Sequence, residues 1–98
     1  MKLKIKVTKE HISRGGIYGG GSRDCPIALA VKELMPKHKA REVRVGPANI
    51  RLTRSIKRYP FSLPVERFIQ RFDAGVRVKP ITFVIELPKS YLLKKMLA

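Results

Sequence analysis

The residues of this chain best equipped to hold a ligand are its lysines and arginines. Lys2, Lys4 and Lys6 recur at every second position near the N-terminus. Arg44, Arg51, Arg54, Lys57 and Arg58 crowd the middle, Tyr59 follows them directly, and Glu42 is the only acid between positions 41 and 58. Cations repeated along a backbone meet phosphate oxygens at intervals, and a ring beside them can stack on a base. The whole chain of 98 residues sets 22 Lys and Arg against 7 Asp and Glu, a net charge of +15. Such an imbalance repels itself in a compact state, and an anionic partner relieves it. The bland alternative is a solvated cationic surface with Tyr59 and Phe61 in the core.

A second candidate is the stretch "RGGIYGGGSR", which packs five glycines into seven positions between Arg14 and Arg23. Placed between a strand and a helix start, such a loop offers free amides beside a positive helix end, which suits an anion. Arg14, Gly19, Gly20, Gly21, Ser22 and Arg23 would line it. A plain flexible connector is the competing reading. The phosphate-binding patterns G-x-x-x-x-G-K-[ST] and G-x-G-x-x-G are absent, which argues against a nucleoside triphosphatase.

Cys25 sits at a predicted helix start with Arg23 nearby, a setting that would lower its thiol pKa. A nucleophile also needs a base and an orienting group, and nothing in the sequence brings His11 or His38 to it. A small buried or capping cysteine is the plainer expectation. One Cys and two scattered His lack metal-ligand spacing. The chain therefore reads as non-enzymatic, with neither metal nor cofactor. A lone cysteine also forms no intrachain disulfide and suits a reducing, intracellular compartment.

The elements that must position these groups follow from periodicity. "MKLKIKVT" turns Leu3, Ile5 and Val7 one way and its lysines the other, the pattern of a half-buried strand. "CPIALAVKELM" places Ile27, Ala30, Val31 and Leu34 at helical spacing, with Asp24 or Cys25 as cap, Pro26 in the first turn and Pro36 as the stop. "REVRVGPANIRLT" reads as two short strands around a Gly46-Pro47 turn. "SLPVERFIQRFDAG" puts Val65, Phe68, Ile69 and Phe72 on one stripe and ends at Gly75. "PITFVIELP" alternates as a strand with Ile81, Phe83, Ile85 and Leu87 on one face, and "SYLLKKMLA" offers a short amphipathic helix. That last helix would close the core or form a homodimer seam; its nine residues give too little area to hold a membrane.

Residues 1–98 thus predict a single α+β domain. The order strand, helix, strand, strand, helix, strand fits a ferredoxin-like βαββαβ fold, a four-stranded antiparallel sheet with both helices on one face, plus the short C-terminal helix. The first and third strands would then be central, and one sheet face would be paved with cations. A chain of this length buries roughly 60–65% of its unfolded surface, enough for one core. No apolar run has the length of a membrane span, and the N-terminus lacks the apolar region of a signal peptide. RNA-recognition domains share this element order, but they present aromatic residues where this chain has Lys and Arg, and their signature string is missing.

"HISRGG…CPIALAVKE" and "FIQRFDAGVRVKPITFVIEL" also resemble a group of small, functionally unassigned proteins encoded by bacteriophages and prophages. Their pattern is H-I-x-x-G, then C-P-[IV]-A-L-A, then F-D-x-G-x-x-V-x-P-x-x-F. His11, Ile12, Gly15, Cys25, Pro26, Ile27, Ala28, Leu29 and Ala30 match the first half; Phe72, Asp73, Gly75, Val78, Pro80 and Phe83 match the second. The match covers most of the chain. It implies a phage-type protein of the host cytoplasm rather than any activity, and the glycine stretch and the basic load of 41–58 lie outside it.

These readings converge on an accessory protein that binds an anionic partner, most readily nucleic acid or a nucleoprotein complex. Lys2, Lys4, Lys6, Arg44, Arg51, Arg54, Lys57 and Arg58 would hold phosphates and Tyr59 would stack. One alternative is an anti-defence protein that sequesters a phosphate-bearing signal nucleotide in the glycine loop. Another is a basic inhibitor of a host defence enzyme.

Overall fold

Alternation of lysine with aliphatic residues builds the first strand, β1 (Lys2–Val7), in a computed structural model that describes residues 2–15, 24–35, 37–52 and 58–86. β1 pairs antiparallel along its full length with β5 (Ile81–Glu86), Lys2 opposite Glu86 and Val7 opposite Ile81. Opposed residues of such a pair share a face. Leu3, Ile5 and Val7 therefore turn inward with Ile85, Phe83 and Ile81, and the three lysines share the outer face with Glu86, Val84 and Thr82.

The predicted hairpin forms from β2 (Arg44–Val45) and β3 (Asn49–Arg51), with Val45 opposite Ile50 and the Gly46 N–H donating to the Asn49 carbonyl at 2.7 Å. A further strand, β4 (Tyr59–Pro60), pairs with the other edge of β3. This changes the architecture. The single four-stranded sheet expected from the sequence is replaced, among the described residues, by a two-stranded ladder β1-β5 and a three-stranded ladder β2-β3-β4. The reason is an occupied edge: with β2 on one side and β4 on the other, β3 has no edge left for β1. What holds is the α+β class, the antiparallel sense of the pairing, and the hairpin.

Among the described residues there are four helices: α1 (Lys9–Arg14), α2 (Pro26–Lys32), α3 (Lys37–Ala40) and α4 (Leu63–Asp73). The sequence reading missed α1 and α3. A helix of six residues is too short to persist alone, so α1 depends on its ends. Thr8 caps it reciprocally: its hydroxyl accepts the His11 N–H at 3.3 Å, and the Thr8 N–H donates to His11 Nδ1 at 2.9 Å. At the other end, Gly15 lies so close to α2 that a Cβ there would sit 2.6 Å from Pro26 Cδ. No side chain fits that gap.

α2 is shorter than the predicted 25–35. The helix ends at Lys32, and the turn that follows leaves Leu34 45% exposed instead of on the apolar stripe. Of the two expected caps, Asp24 and Cys25, the N-cap is Cys25, its Sγ accepting the Ala28 N–H at 3.5 Å, and Pro26 stands in the first turn as expected. α4 follows its stripe: Val65, Phe68, Ile69 and Phe72 are buried. It closes on a left-handed glycine, Gly75 at φ +77, with the Val76 N–H donating to the Arg71 carbonyl and the Gly75 N–H to the Phe72 carbonyl. That double bond pattern satisfies the last helical carbonyls and needs a residue without a Cβ penalty.

One core unites the parts. Ile5 of β1, Ile27 and Val31 of α2, Ile50 of β3 and Val65 of α4 are all fully buried within it. Phe61, just after β4, meets Phe83 of β5 edge to face with centroids 5.8 Å apart, which ties the two ladders together. The predicted C-terminal helix, Leu87 and most of the glycine stretch lie outside the described residues. Among the described residues, no helix is long and apolar enough to cross a membrane.

Candidate anion-binding surfaces

The period of β1 sets its three lysines about 6.6–6.8 Å apart along one face. All three are exposed. Lys4 and Lys6 face the uncharged Val84 and Thr82, and Glu86 faces Lys2 at the end of the row. Val84 is itself 51% exposed, so the row borders a small apolar patch.

The hairpin uses its cations differently. Arg44 and Arg51 stand directly opposite each other, a like-charge pairing that is unfavourable unless each finds other partners. Arg44 turns back onto the chain, its Nη1 donating to the Arg41 carbonyl at 2.6 Å and the Val43 carbonyl at 2.8 Å. Arg51 is half-buried, and its Nε is buried without a hydrogen-bond partner among the described residues. Arg58 is exposed, while Arg54 and Lys57 lie outside the described residues.

Tyr59, expected to stack on a base, is instead a core residue, only 8% exposed. Burial pushes its phenol pKa up. Its cross-strand partner on β3 is Ile50, which is likewise buried. The paved sheet face of the sequence reading therefore divides. The lysine row belongs to one ladder and the hairpin arginines to another, and only the lysine row is presented whole.

Of the expected anion loop, Gly19, Gly20, Gly21, Ser22 and Arg23 lie outside the described residues. Arg14 is described, and its Nη1 donates to Glu10 Oε1 at 3.1 Å, one turn back on α1. Cys25 is the small, buried capping residue of the plainer expectation, without the lowered thiol pKa that a helix start suggests. Burial pushes its thiol pKa up, Asp73 adds to the rise, and the amides of Ala28 and Ile27 with Lys32 offset it only partly. Desolvation outweighs the helix end.

His11 is not its base. The ring is buried, Nδ1 accepts the Thr8 N–H, and Nε2 then carries the proton donated to Glu33 Oε1 at 2.7 Å. His11 and Gly15 thereby fasten the two ends of α1 to the opposite ends of α2. The residues with the most motif-like spacing, His11, Gly15, Cys25, Pro26 and Gly75, all have structural work in the fold. Among the described residues, no group of three or more His, Cys, Asp or Glu could hold a metal ion.

One cationic feature escaped the sequence reading. An open groove of about 490 Å³ runs between α4 and the segment returning to β5. Arg67 and Arg71 stand on its helical side, Arg77 and Lys79 on the other, and Phe68, Val78 and Ile81 contribute to its floor. Two signals pointed to it: the i, i+4 spacing of Arg67 and Arg71 opposite the apolar stripe, and the alternation "RVKP" after Gly75. Neither says that the two pairs face each other. Compared with protein-family models, with curated proteins and with solved structures, the chain matches none.

Proposed function

We propose that this chain is a non-enzymatic, phage-type accessory protein that binds a polyanion, nucleic acid alone or in a nucleoprotein complex. The carrying observation is the exposed row of Lys2, Lys4 and Lys6, evenly spaced on the outer face of β1 with no acid opposite Lys4 or Lys6. The net charge of +15 supports the reading, since a phosphate backbone supplies the missing counter-charge. Exposed Arg58 adds to it, and Arg54 and Lys57 are further candidates from the sequence. Tyr59 is buried and offers no ring face to a base, so recognition rests on phosphates and is weak in base preference.

A salt titration with a short labelled duplex tests this. Each phosphate neutralised contributes about −0.9 to the slope of log affinity against log salt. Binding that is strong at low salt and falls linearly on that plot is the expected result. Absence of binding at low salt, or affinity indifferent to salt, overturns the proposal.

A further inference from the structure

The groove beside α4 combines two properties that the lysine row lacks: it is concave, and it has an apolar floor between cationic rims. Arg67 and Arg71 are one helical turn apart, about 6 Å along the axis. Arg77 and Lys79 close the opposite side, and no carboxylate is among the lining residues. No hydrogen bond or ion pair with another described residue engages these four cations. Four unneutralised charges over Phe68, Val78 and Ile81 call for an occupant that is both acidic and apolar.

The floor selects among acidic occupants. A single nucleic-acid strand in such a groove would stack its bases on exposed ring faces, yet Phe68 is only 6% exposed and the other floor residues named are aliphatic. A duplex lying across the rims would leave the apolar floor uncovered. Apolar side chains of a peptide suit an aliphatic floor, and carboxylates pair with guanidinium groups in two-pronged hydrogen bonds. We propose that this groove docks an acidic segment of a partner protein, its apolar side chains seated on the half-buried Val78 and Ile81 and its carboxylates on Arg67, Arg71, Arg77 and Lys79. It is independent of nucleic-acid binding by β1, which lies on a separate element.

The test is a titration of the isotope-labelled full-length chain followed by amide shifts. Three probes are used: a ten-residue peptide of Glu and Leu, the same peptide with Ser for every Leu, and a ten-nucleotide oligo-dT. The Glu/Leu peptide should shift the amides of 64–71 and 77–81 and saturate, with the Glu/Ser peptide binding about tenfold more weakly, or worse, for want of apolar burial. Arg67→Gln with Arg71→Gln, and separately Arg77→Gln with Lys79→Gln, should each weaken the Glu/Leu peptide by about tenfold. All four side chains are exposed, and an unchanged thermal midpoint shows that the variants fold. Lys2→Gln, Lys4→Gln and Lys6→Gln together should leave peptide binding unaltered. The proposal is overturned if the groove amides ignore the Glu/Leu peptide, if the Glu/Ser peptide binds equally well, if oligo-dT occupies the groove in its place, or if only the lysine variant loses binding.

Discussion

The packed pair α1 and α2 and the outer surfaces of β1 and α4 put polar groups to opposite uses. In the helix pair, each polar residue that stands out in the sequence is bound inside the fold: His11 between Thr8 and Glu33, Cys25 with its Sγ accepting the Ala28 N–H. On β1 and α4, commonplace lysines and arginines stand exposed, and the described residues give Lys4, Lys6, Arg67, Arg71, Arg77 and Lys79 no ion pair. Distinctive spacing here marks structure, and unsatisfied charge marks the places where a ligand gains most. Arg44 makes the point within one residue class, because its guanidinium is taken up by two backbone carbonyls.

That contrast predicts a double dissociation. The largest effect is expected for Lys2→Gln, Lys4→Gln and Lys6→Gln combined. Losing three phosphate contacts should reduce the salt slope by about 2.7 and lower duplex affinity roughly 10²–10³-fold near 0.1 M salt. The melting temperature should hardly move, and a large drop in it would show that the three lysines also support the fold.

Next comes Gly15→Val, whose side chain must enter the space held by the Pro26 ring. Overpacking of this kind costs about 1–3 kcal/mol, readable by urea unfolding, and duplex affinity should be preserved. A Gly15→Val chain as stable as the parent would refute the tight contact.

His11→Ala should cost a similar or smaller amount, about 1–3 kcal/mol, through the acceptor lost to the Thr8 N–H and the cavity left behind. His11→Gln should recover part of it, because glutamine at the third helical position also reaches back to the capping residue's amide. Equal losses in the two variants would show that packing, not the cap, is what His11 supplies.

The smallest effect is alkaline. Burial favours the neutral Cys25 thiol in the folded chain, so its contribution is complete below the ordinary thiol value of 9.0 and is lost as pH rises beyond it. Tyr59 adds a second loss in the same direction above 10.0. Cys25→Ser keeps an N-cap acceptor and removes the thiol, and should flatten the decline of melting temperature as pH rises past 9.0. Parallel declines in the two proteins would count against a buried thiol.

Much of this fold was legible from local pattern. The alternation of β1 and β5, the stripe of α4 and its stop at Gly75, the hairpin at Gly46-Pro47 and the cap at Cys25 each follow from residues within a few positions. α1 was not legible, because six residues with one half-turn of apolar character give no period to read and are held by contacts 11 to 22 positions away. β4 was missed for a like reason: two residues, one of them proline, are a strand only because β3 lies alongside. Among site residues, Lys2, Lys4 and Lys6 were placed by alternation, whereas Tyr59 was misread since proximity to arginines in sequence says nothing about the direction of a ring.

Side-chain period is a property of the backbone's own geometry, so the chain alone determined which face each lysine of β1 would take and which residues α4 would bury. It also determined the excess of positive charge. Tertiary structure alone decided that β3 would be flanked by β2 and β4 rather than β1, that Arg44 would bond to carbonyls, and that Arg67 and Arg71 would look across a groove at Arg77 and Lys79. Those outcomes depend on which edges and charges meet after the chain has turned back on itself, and no local repeat encodes that meeting.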